Sequence, residues 1–389
     1  MQFIWRALAR RPFTASLLAT AIGAGAALAP TPALAAGGDS VVGHVYLDDN
    51  TAGANTIAAF DRHADGSLTP VAGSPFSAGG AGTGSGLASQ GAIQITDDGH
   101  FLLAVDAGSN QISVLKVNKN GSLKPVDVTS SGGSLPVSIT VHRKLVYVAN
   151  AADGGANYTG FRLAGDGSLS RIPHSTVPLP DGSQPGDIFF NGTGTKVVGT
   201  RINSSLIDSF VVAPNGRLVA APGSPFAAQG VGPFGSEFRP TNPNQVFVSN
   251  AHDGALAGTV SAFNDLADGT LSSIGASPFP DHQTAACWVE ITRDGNVLFT
   301  VNTGSGSISS YSIAADGALT LLGSTPVSAE RGVGAVDARL TPDNGTLYVD
   351  ESRVGTVAGF AVDGGNLTEL ASSPTALPVG AAPAGLVVD

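Results

Sequence analysis

The chain of 389 residues carries 19 Lys and Arg against 30 Asp and Glu, a net charge of −11, which argues against a nucleic-acid or anionic-membrane binder. One cysteine, Cys287, excludes an internal disulfide, and no CxxC or His/Cys cluster offers a metal-ligand set. Charged residues are only 13% of the chain while Gly numbers 52 and Pro 24, a composition suited to turn-dense β structure and not to long helices.

The first 35 residues read as an export leader. Arg6, Arg10 and Arg11 make a basic start, Ala15 to Ala29 is mildly apolar, and Ala33-Leu34-Ala35 is a small-residue cleavage pattern. The apolar run is too short, and too rich in Ala and Gly, for a membrane span. Arg10-Arg11-Pro12-Phe13 matches a twin-arginine signal, with Thr14 where a further apolar residue is usual. A disordered N-terminal tail is the alternative. Export leaves a periplasmic or secreted chain with 16 cations against 30 acids, a net of −14.

From Val41 onward, strand and turn signals alternate. The pattern is clearest from Ile291 to Pro326. There Asp294-Gly295, Thr303 to Gly306 and Asp316-Gly317 separate the runs Val297 to Val301, Ile308 to Ile313 and Leu319 to Leu322. Turns of this kind join hairpins because Gly and Asn/Asp tolerate positive φ. One four-stranded meander cannot bury both faces alone, so it needs neighbours. A Gly-x-Leu turn recurs at Gly66, Gly121, Gly167, Gly216, Gly269, Gly317 and Gly365, seven copies spaced by 46 to 55 residues, the period of propeller blades. Second-strand runs such as Leu102 to Val105, Leu145 to Val148 and Leu347 to Val349 keep the same phase, as does Ser-Pro-Phe at Ser74, Ser224 and Ser277. The expected fold is all-β: a seven-bladed β-propeller of four-stranded antiparallel blades over residues 36–389. Six or eight blades, or a two-sheet sandwich array, are the alternatives. The first copy lacks an inner strand and nothing follows Ala384 to Val388, so the C-terminal run is expected to close the ring within blade one.

No GxSxG elbow, P-loop or HExxH occurs. Inner strands and the loops before them converge on a propeller's axis. Aligned on the turns that end them, at Asp97, Pro240, Arg293 and Pro342, the inner strands put Gln94, Glu237, Glu290 and Arg339 three residues before the turn. Phe189 takes that place in blade four. Asp187, Trp288 and Asp337 stand five before it, on the same face by strand alternation. Crowded carboxylates perturb each other's pKa and pair with Arg, which acid–base catalysis and anion binding both use. The competing reading is that these residues solvate the channel or tie adjacent blades by hydrogen bonds. His252 and Arg201, in loops after second strands, and His282, before the blade-six inner strand, join the candidates. The Gly-rich segment Gly79 to Gly91 reads as a flexible flap over a ligand, or as a slack surface loop.

The blade pattern, with its Asp-Gly turn, Gly-Ser-Ile hairpin, Asp-Gly-x-Leu turn and Gly-Ser-Pro-Phe tail, resembles the β-propeller lactonases. That family includes bacterial 6-phosphogluconolactonases of the propeller type and fungal 3-carboxy-cis,cis-muconate cyclases. The resemblance runs from about Val41 to the C-terminus. It implies a propeller enzyme that opens a lactone or closes a muconate-type acid. The family's functional segments depart here. Where the family has GPRH, this chain has Gly232-Pro233-Phe234-Gly235, and Ala251 stands at the loop position of a Glu. Trp288 and Glu290 occupy the Glu and Arg places of an AEIR-like segment, and Asn302-Thr303-Gly304 lacks the Arg of NRG. The family's residue roles therefore do not carry over.

The resulting expectation is an exported, monomeric, lactonase-like propeller without cofactor or metal. Glu237, Glu290 or His252 moves a proton, and Arg339 holds a carboxylate or steadies an oxyanion. Gln94, Asp187, Trp288, Asp337, Arg201 and His282 contact substrate. More acids than arginines on the channel face suit a neutral or cationic ligand. The alternative is a non-catalytic propeller presenting a rigid face to a small molecule or a protein. Neither reading calls for nucleic acid or for a membrane span in the mature chain.

Overall fold

A computed structural model of the chain describes residues 40–327 and 334–389. The expected leader lies outside the described residues. Every regular element among these is a strand, and none is a helix long and apolar enough to cross a membrane.

The strands form seven antiparallel sheets, each built on a four-stranded meander. Blades two to seven begin with inner strands Ile93–Ile95, Pro136–His142, Pro185–Phe190, Pro233–Arg239, Ala286–Ile291 and Ala335–Leu340. Blade one takes its inner strand from the other end of the chain, Gly385–Val388. Each inner strand touches the next one around the ring, so the seven enclose an axis. Closure pairs Val45 with Val388, Tyr46 with Val387 and Leu47 with Leu386. Arg62 Nη2 then donates to the Asp389 carbonyl at 3.0 Å.

The repeated turn has a local cause. Asp65 Oδ1 accepts the Ser67 N–H at 3.0 Å, and Gly66 between them has φ of 80°, which costs a residue with a Cβ. Asp166, Asp268 and Asp316 repeat the bond to the residue two ahead. The turns also join blades. The Tyr147 hydroxyl donates to Gly216 O and the Tyr348 hydroxyl to Gly66 O, both at 2.8 Å. The Ser-Pro-Phe signal marks where the outer strand leaves the sheet. Ser74, Ser224 and Ser277 hydroxyls accept third-strand N–H groups at Ala59, Ser209 and Ala262 that lose their strand partner there. Phe76, Phe226 and Phe279 then re-pair with the third strand. Apolar clusters fill the wedges between blades. One runs from Phe299 and Ile308 of blade six to Leu347 and Phe360 of blade seven, all within 1% of full burial. Each such side chain contributes about 1.5–3 kcal/mol, so the ring is held by shared interfaces and not by independent sheets.

Candidate functional site

The axis is not an open channel. The segment Gly79 to Gly91 crosses it, and its end is inserted: Ser89 and Gln90 are both 1% exposed. The expected flap is therefore a plug. Gln90 N donates to Gly186 O at 2.9 Å, its Nε2 to Ser236 O at 3.0 Å, and its Oε1 accepts Val289 N–H at 2.9 Å. One residue thus ties blades four, five and six across the axis, its backbone N–H holding blade four and its side chain bridging five and six. Gly235 makes room for it, since a Cβ there would sit 2.1 Å from Gln90 Oε1. Trp288 Nε1 donates to Ser89 O at 2.9 Å and Ser89 Oγ to Val137 O at 2.7 Å, which fixes the rest of the plug.

The plug divides the axis into two recesses. One, of about 230 Å³, opens where the inner strands end and is walled by Gln94, Phe189, Glu237, Glu290, Arg293 and Arg339 over Gln90. The structure therefore brings together Gln94, Glu237, Glu290 and Arg339, as strand alternation requires. Arg339 Nη1 lies 3.5 Å from Glu290 Oε2 and 2.9 Å from Asp337 Oδ1. Glu290 Oε1 accepts the Leu340 N–H at 2.9 Å. Glu237 Oε2 and Gln94 Nε2 are buried without a hydrogen-bond partner among the described residues. Burial, and then the neighbouring Glu290 carboxylate, push the Glu237 carboxyl well above its usual range, against the pull of Arg339. Burial lifts Glu290 to about 7, again opposed by Arg339. The surroundings of the pair differ: Glu290 has the Arg339 guanidinium and the Leu340 N–H, whereas Glu237 Oε2 has no partner among the described residues.

Asp187 and Asp337 lie on the axis but are fully buried behind this recess. Asp187 accepts Ser236 N–H and Oγ–H at 2.9 and 2.6 Å and the Ser138 hydroxyl at 3.1 Å, tying blade four to blades three and five. Burial raises it to about 7. Asp337 accepts the Ala338 N–H at 2.9 Å and braces Arg339. Asp337 Oδ2 also takes the Leu386 N–H of blade one at 3.4 Å, so both carboxyl groups reach a neighbouring blade.

Trp288, Arg201, His252 and His282 do not join the recess. Trp288 shares the Glu290 face, but two residues along a strand is roughly 7 Å, and the plug comes between. It instead lines the second recess, of about 260 Å³, with Phe234, Cys287, Leu87, Val336 and Pro383. Phe234 and Trp288 rings meet at 4.8 Å, and burial lifts the Cys287 thiol to about 12. This apolar mouth holds the positions where the family's functional segments would lie. His252 is exposed, two residues beyond Asn250, which pairs with Pro233 at the start of the blade-five inner strand. Glu237 is four residues along that strand, roughly 13 Å towards the other mouth. His282 is exposed at the same far end. Arg201 is sequestered by Asp208 through Nε at 2.6 Å and Nη2 at 2.5 Å. It is the blade-four form of a repeated device in which a polar residue ending the second strand binds the start of the third. Asn150 with Asn157, Asn250 with Thr259, Asn302 with Ser307 and Glu351 with Thr356 are others.

Gln90 escapes sequence reasoning. The available signal is the length of the segment before the blade-two inner strand, which is enough to reach the axis, and the side-chain-free Gly235 that faces it. No group of three or more His, Cys, Asp or Glu among the described residues is arranged to hold a metal ion.

A family model described as a lactonase with a seven-bladed β-propeller matches residues 53–190 and 197–384. No curated protein sequence matches. Solved structures that resemble the chain include a candidate 6-phosphogluconolactonase from Bacteroides uniformis, at 19% identity and TM-score 0.72, covering 89% of this chain and 99% of that one. A second candidate 6-phosphogluconolactonase, from Bacteroides fragilis, is 18% identical with TM-score 0.70, over 92% of this chain and 100% of that one. The periplasmic gluconolactonase of Pseudomonas aeruginosa is 16% identical with TM-score 0.69, over 89% and 98%. At these identities the likeness is one of fold.

Proposed function

The chain belongs to the lactonase family of seven-bladed β-propellers, and from that premise we propose that it hydrolyses a small uncharged lactone in the polar axial recess. The observation that carries the reading is the Glu237–Glu290 pair beside Arg339, two carboxyl groups in one small cavity of which Glu290 is held by the guanidinium and a backbone N–H and Glu237 Oε2 is unpartnered among the described residues. Such a pair divides into acid and base. Glu290, ionised, takes a proton from water as its oxygen attacks the lactone carbonyl. Arg339 steadies the oxyanion that forms. The ring C–O bond then breaks, and protonated Glu237 gives its proton to the departing ring oxygen. The product is a hydroxy acid whose carboxylate Arg339 can pair.

The recess suits a neutral ring better than a phosphorylated one or a polycarboxylate, because Glu237, Glu290, Asp187 and Asp337 outnumber Arg339 and the exposed Arg293 at its rim. For that reason hydrolysis is preferred to closure of a muconate-type acid. The reading also puts the protein outside the cytoplasm, on the strength of the Arg10-Arg11 pattern and Ala33-Leu34-Ala35. Cell fractionation with N-terminal sequencing of the mature chain tests that part.

A second reading, a non-catalytic binding propeller, draws on a different observation. Glu290, Asp187 and Asp337 each spend an oxygen on a backbone N–H of an inner strand. A pH-stat screen of neutral and phosphorylated aldonolactones on the mature protein separates the two. Turnover that disappears in Glu237→Gln/Glu290→Gln is expected. Equal background rates in both proteins leave the binding reading.

A further inference from the structure

The residue before the last in each second strand has a repeated task. In blade four the Thr200 hydroxyl donates to Phe234 O at 2.6 Å, and in blade five the Ser249 hydroxyl donates to Cys287 O. Each acceptor is the second residue of the following blade's inner strand, so one hydroxyl clips each of these blades to the next. Blades two and six have Val105 and Val301 at that place and blade three has Ala149, which carry no donor. Blade one has Asp48, whose Oδ1 takes the Asn50 N–H at 3.0 Å. Blade seven has Asp350, paired with Val357 as Thr200 is with Ile207 and Ser249 with Val260.

Asp350 is fully buried, and neither of its carboxyl oxygens has a hydrogen-bond partner among the described residues. Alternation puts it on the face of Tyr348, which with Val357 shares an apolar cluster with Val45, Leu47 and Leu386 of blade one. It therefore looks at the seam where the ring closes. The charged groups around it are Asp337 on the inner strand of its own blade, its neighbour Glu351, and Asp49 of blade one. All three are acids, and the closing strand Gly385–Val388 has no charged residue. Burial, and then these acids, push the Asp350 carboxyl well above its usual range. A carboxyl that keeps its proton is a donor. The acceptor that the repeat assigns to it is Ala384. Asp48 pairs with Gly385 as Val301 pairs with Trp288, which sets Ala384 in the place of Cys287. Ala384 is 6% exposed, and its carbonyl receives no backbone N–H among the described residues. A buried donor and a buried acceptor, each without another partner there, thus stand at matching positions across the seam.

We propose that Asp350 is a proton-controlled clasp of the ring: as the acid it donates to Ala384 O and holds blade seven to the closing strand, and as the carboxylate it lets that strand go. In the opened seam Asp350 is hydrated and ionises in the ordinary aspartate range, at about 3.9. The closed seam keeps the proton beyond that point. Opening therefore releases a proton and becomes easier as pH rises, until the closed form ionises as well.

Hydrogen–deuterium exchange of the mature protein between about pH 5 and about pH 8, corrected for the pH dependence of the exchange chemistry itself, reads this opening. Release of one proton should lower the protection of residues 385–389 about tenfold per pH unit on account of Asp350, on top of what Asp337 and Asp49 contribute. Asp350→Asn keeps a donor at every pH, so the slope should lose that tenfold per unit, with protection at about pH 5 within about threefold of wild type. Asp350→Val, the residue of blades two and six at this place, should lower protection at about pH 5 roughly tenfold, the value of one hydrogen bond. The blade-three inner strand Pro136–His142, which has no acid, is the internal reference and should change in neither variant. Urea midpoints verify that both variants fold. Protection of residues 385–389 that does not fall with pH in the wild type overturns the proposal without any variant. An unchanged slope in Asp350→Asn overturns it too. So does an equal change at Pro136–His142, which would mean that Asp350 acts on the whole ring and not on its seam.

Discussion

Gln90 Oε1 accepts the N–H of Val289, 199 residues further along the chain, at 2.9 Å. The same amide donates to Ser236 O. Ser236 and Val289 are the immediate predecessors of Glu237 and Glu290, so a single side chain fixes the backbone from which both recess carboxylates project. Gln90→Leu keeps much of the volume but leaves an N–H and a carbonyl buried and unpaired. A loss of about 2–5 kcal/mol in urea unfolding is expected. Gln90→Glu, kept protonated by the burial that raises its neighbours Glu237, Glu290 and Asp187, retains an acceptor for Val289 and a donor for Ser236, and should cost less. Equal stability of wild type and Gln90→Leu would show that the plug is peripheral.

Ring closure rests on a short strand. Leu386 is fully buried and Val387 is 4% exposed, and both sit against blade one. Deletion of residues 385–389 removes the inner strand of that blade and leaves the Tyr46 and Leu47 backbone unpaired. Burial of the two side chains alone is worth about 3–6 kcal/mol. Calorimetry should give a lower and broader transition. An unchanged midpoint would show that the ring does not depend on closure.

Stability should fall as pH rises through neutrality. Glu290, Asp187 and Asp49 are lifted from 4.5, 3.8 and 3.8 to about 7, and Glu237, Asp48 and Asp350 are raised well above their usual range, burial being the leading cause in each. A carboxyl with a raised folded-state pKa keeps its proton in the folded state after the unfolded chain has lost its own. The folded state therefore binds more protons between about pH 4 and pH 7, and its stability declines across that window. The thermal midpoint should be higher at about pH 5 than at about pH 8. Glu290→Gln should flatten part of the slope. Under the proposed mechanism lactone turnover should run the other way, rising through about pH 7 as Glu290 deprotonates. Coincident pH profiles of stability and turnover would contradict these assignments.

Arg339 stands between two buried acids. Arg339→Met leaves Asp337 and Glu290 without their cation, and a loss of about 3–5 kcal/mol is expected. Arg339→Lys keeps the charge but not the fork. It should fold, with kcat lowered by about 10²-fold and KM changed less, the mark of a contact made to developing charge. Steady-state kinetics on Arg339→Lys check this. A rise in KM with kcat intact would assign Arg339 to ground-state binding.

The sequence by itself determined the architecture. Blade number, strand order and the closing role of Ala384 to Val388 follow from local rules: positive-φ turns at Gly66 and its repeats, apolar alternation, and the need to cover sheet edges. Each rule acts within a few residues, so each leaves a periodic trace. The recess was half legible for the same reason. Alternation places Gln94, Glu237, Glu290 and Arg339 on the face that looks inward, and the axis brings that face together. Tertiary structure decided the rest. Only in the folded ring does Gln90 reach the axis and separate Trp288 from Glu290, although both side chains share one strand face. The distance of His252 from Glu237 depends on which end of the strand each occupies, and on Gln90 lying between the two mouths. Asp187 is claimed by Ser236 of the next blade, a partner fixed by blade packing, and Arg201 by Asp208 of the neighbouring strand. A hydrogen bond between residues 199 positions apart leaves no period to read, because its partners are chosen by the geometry of closure and not by their neighbours in the chain.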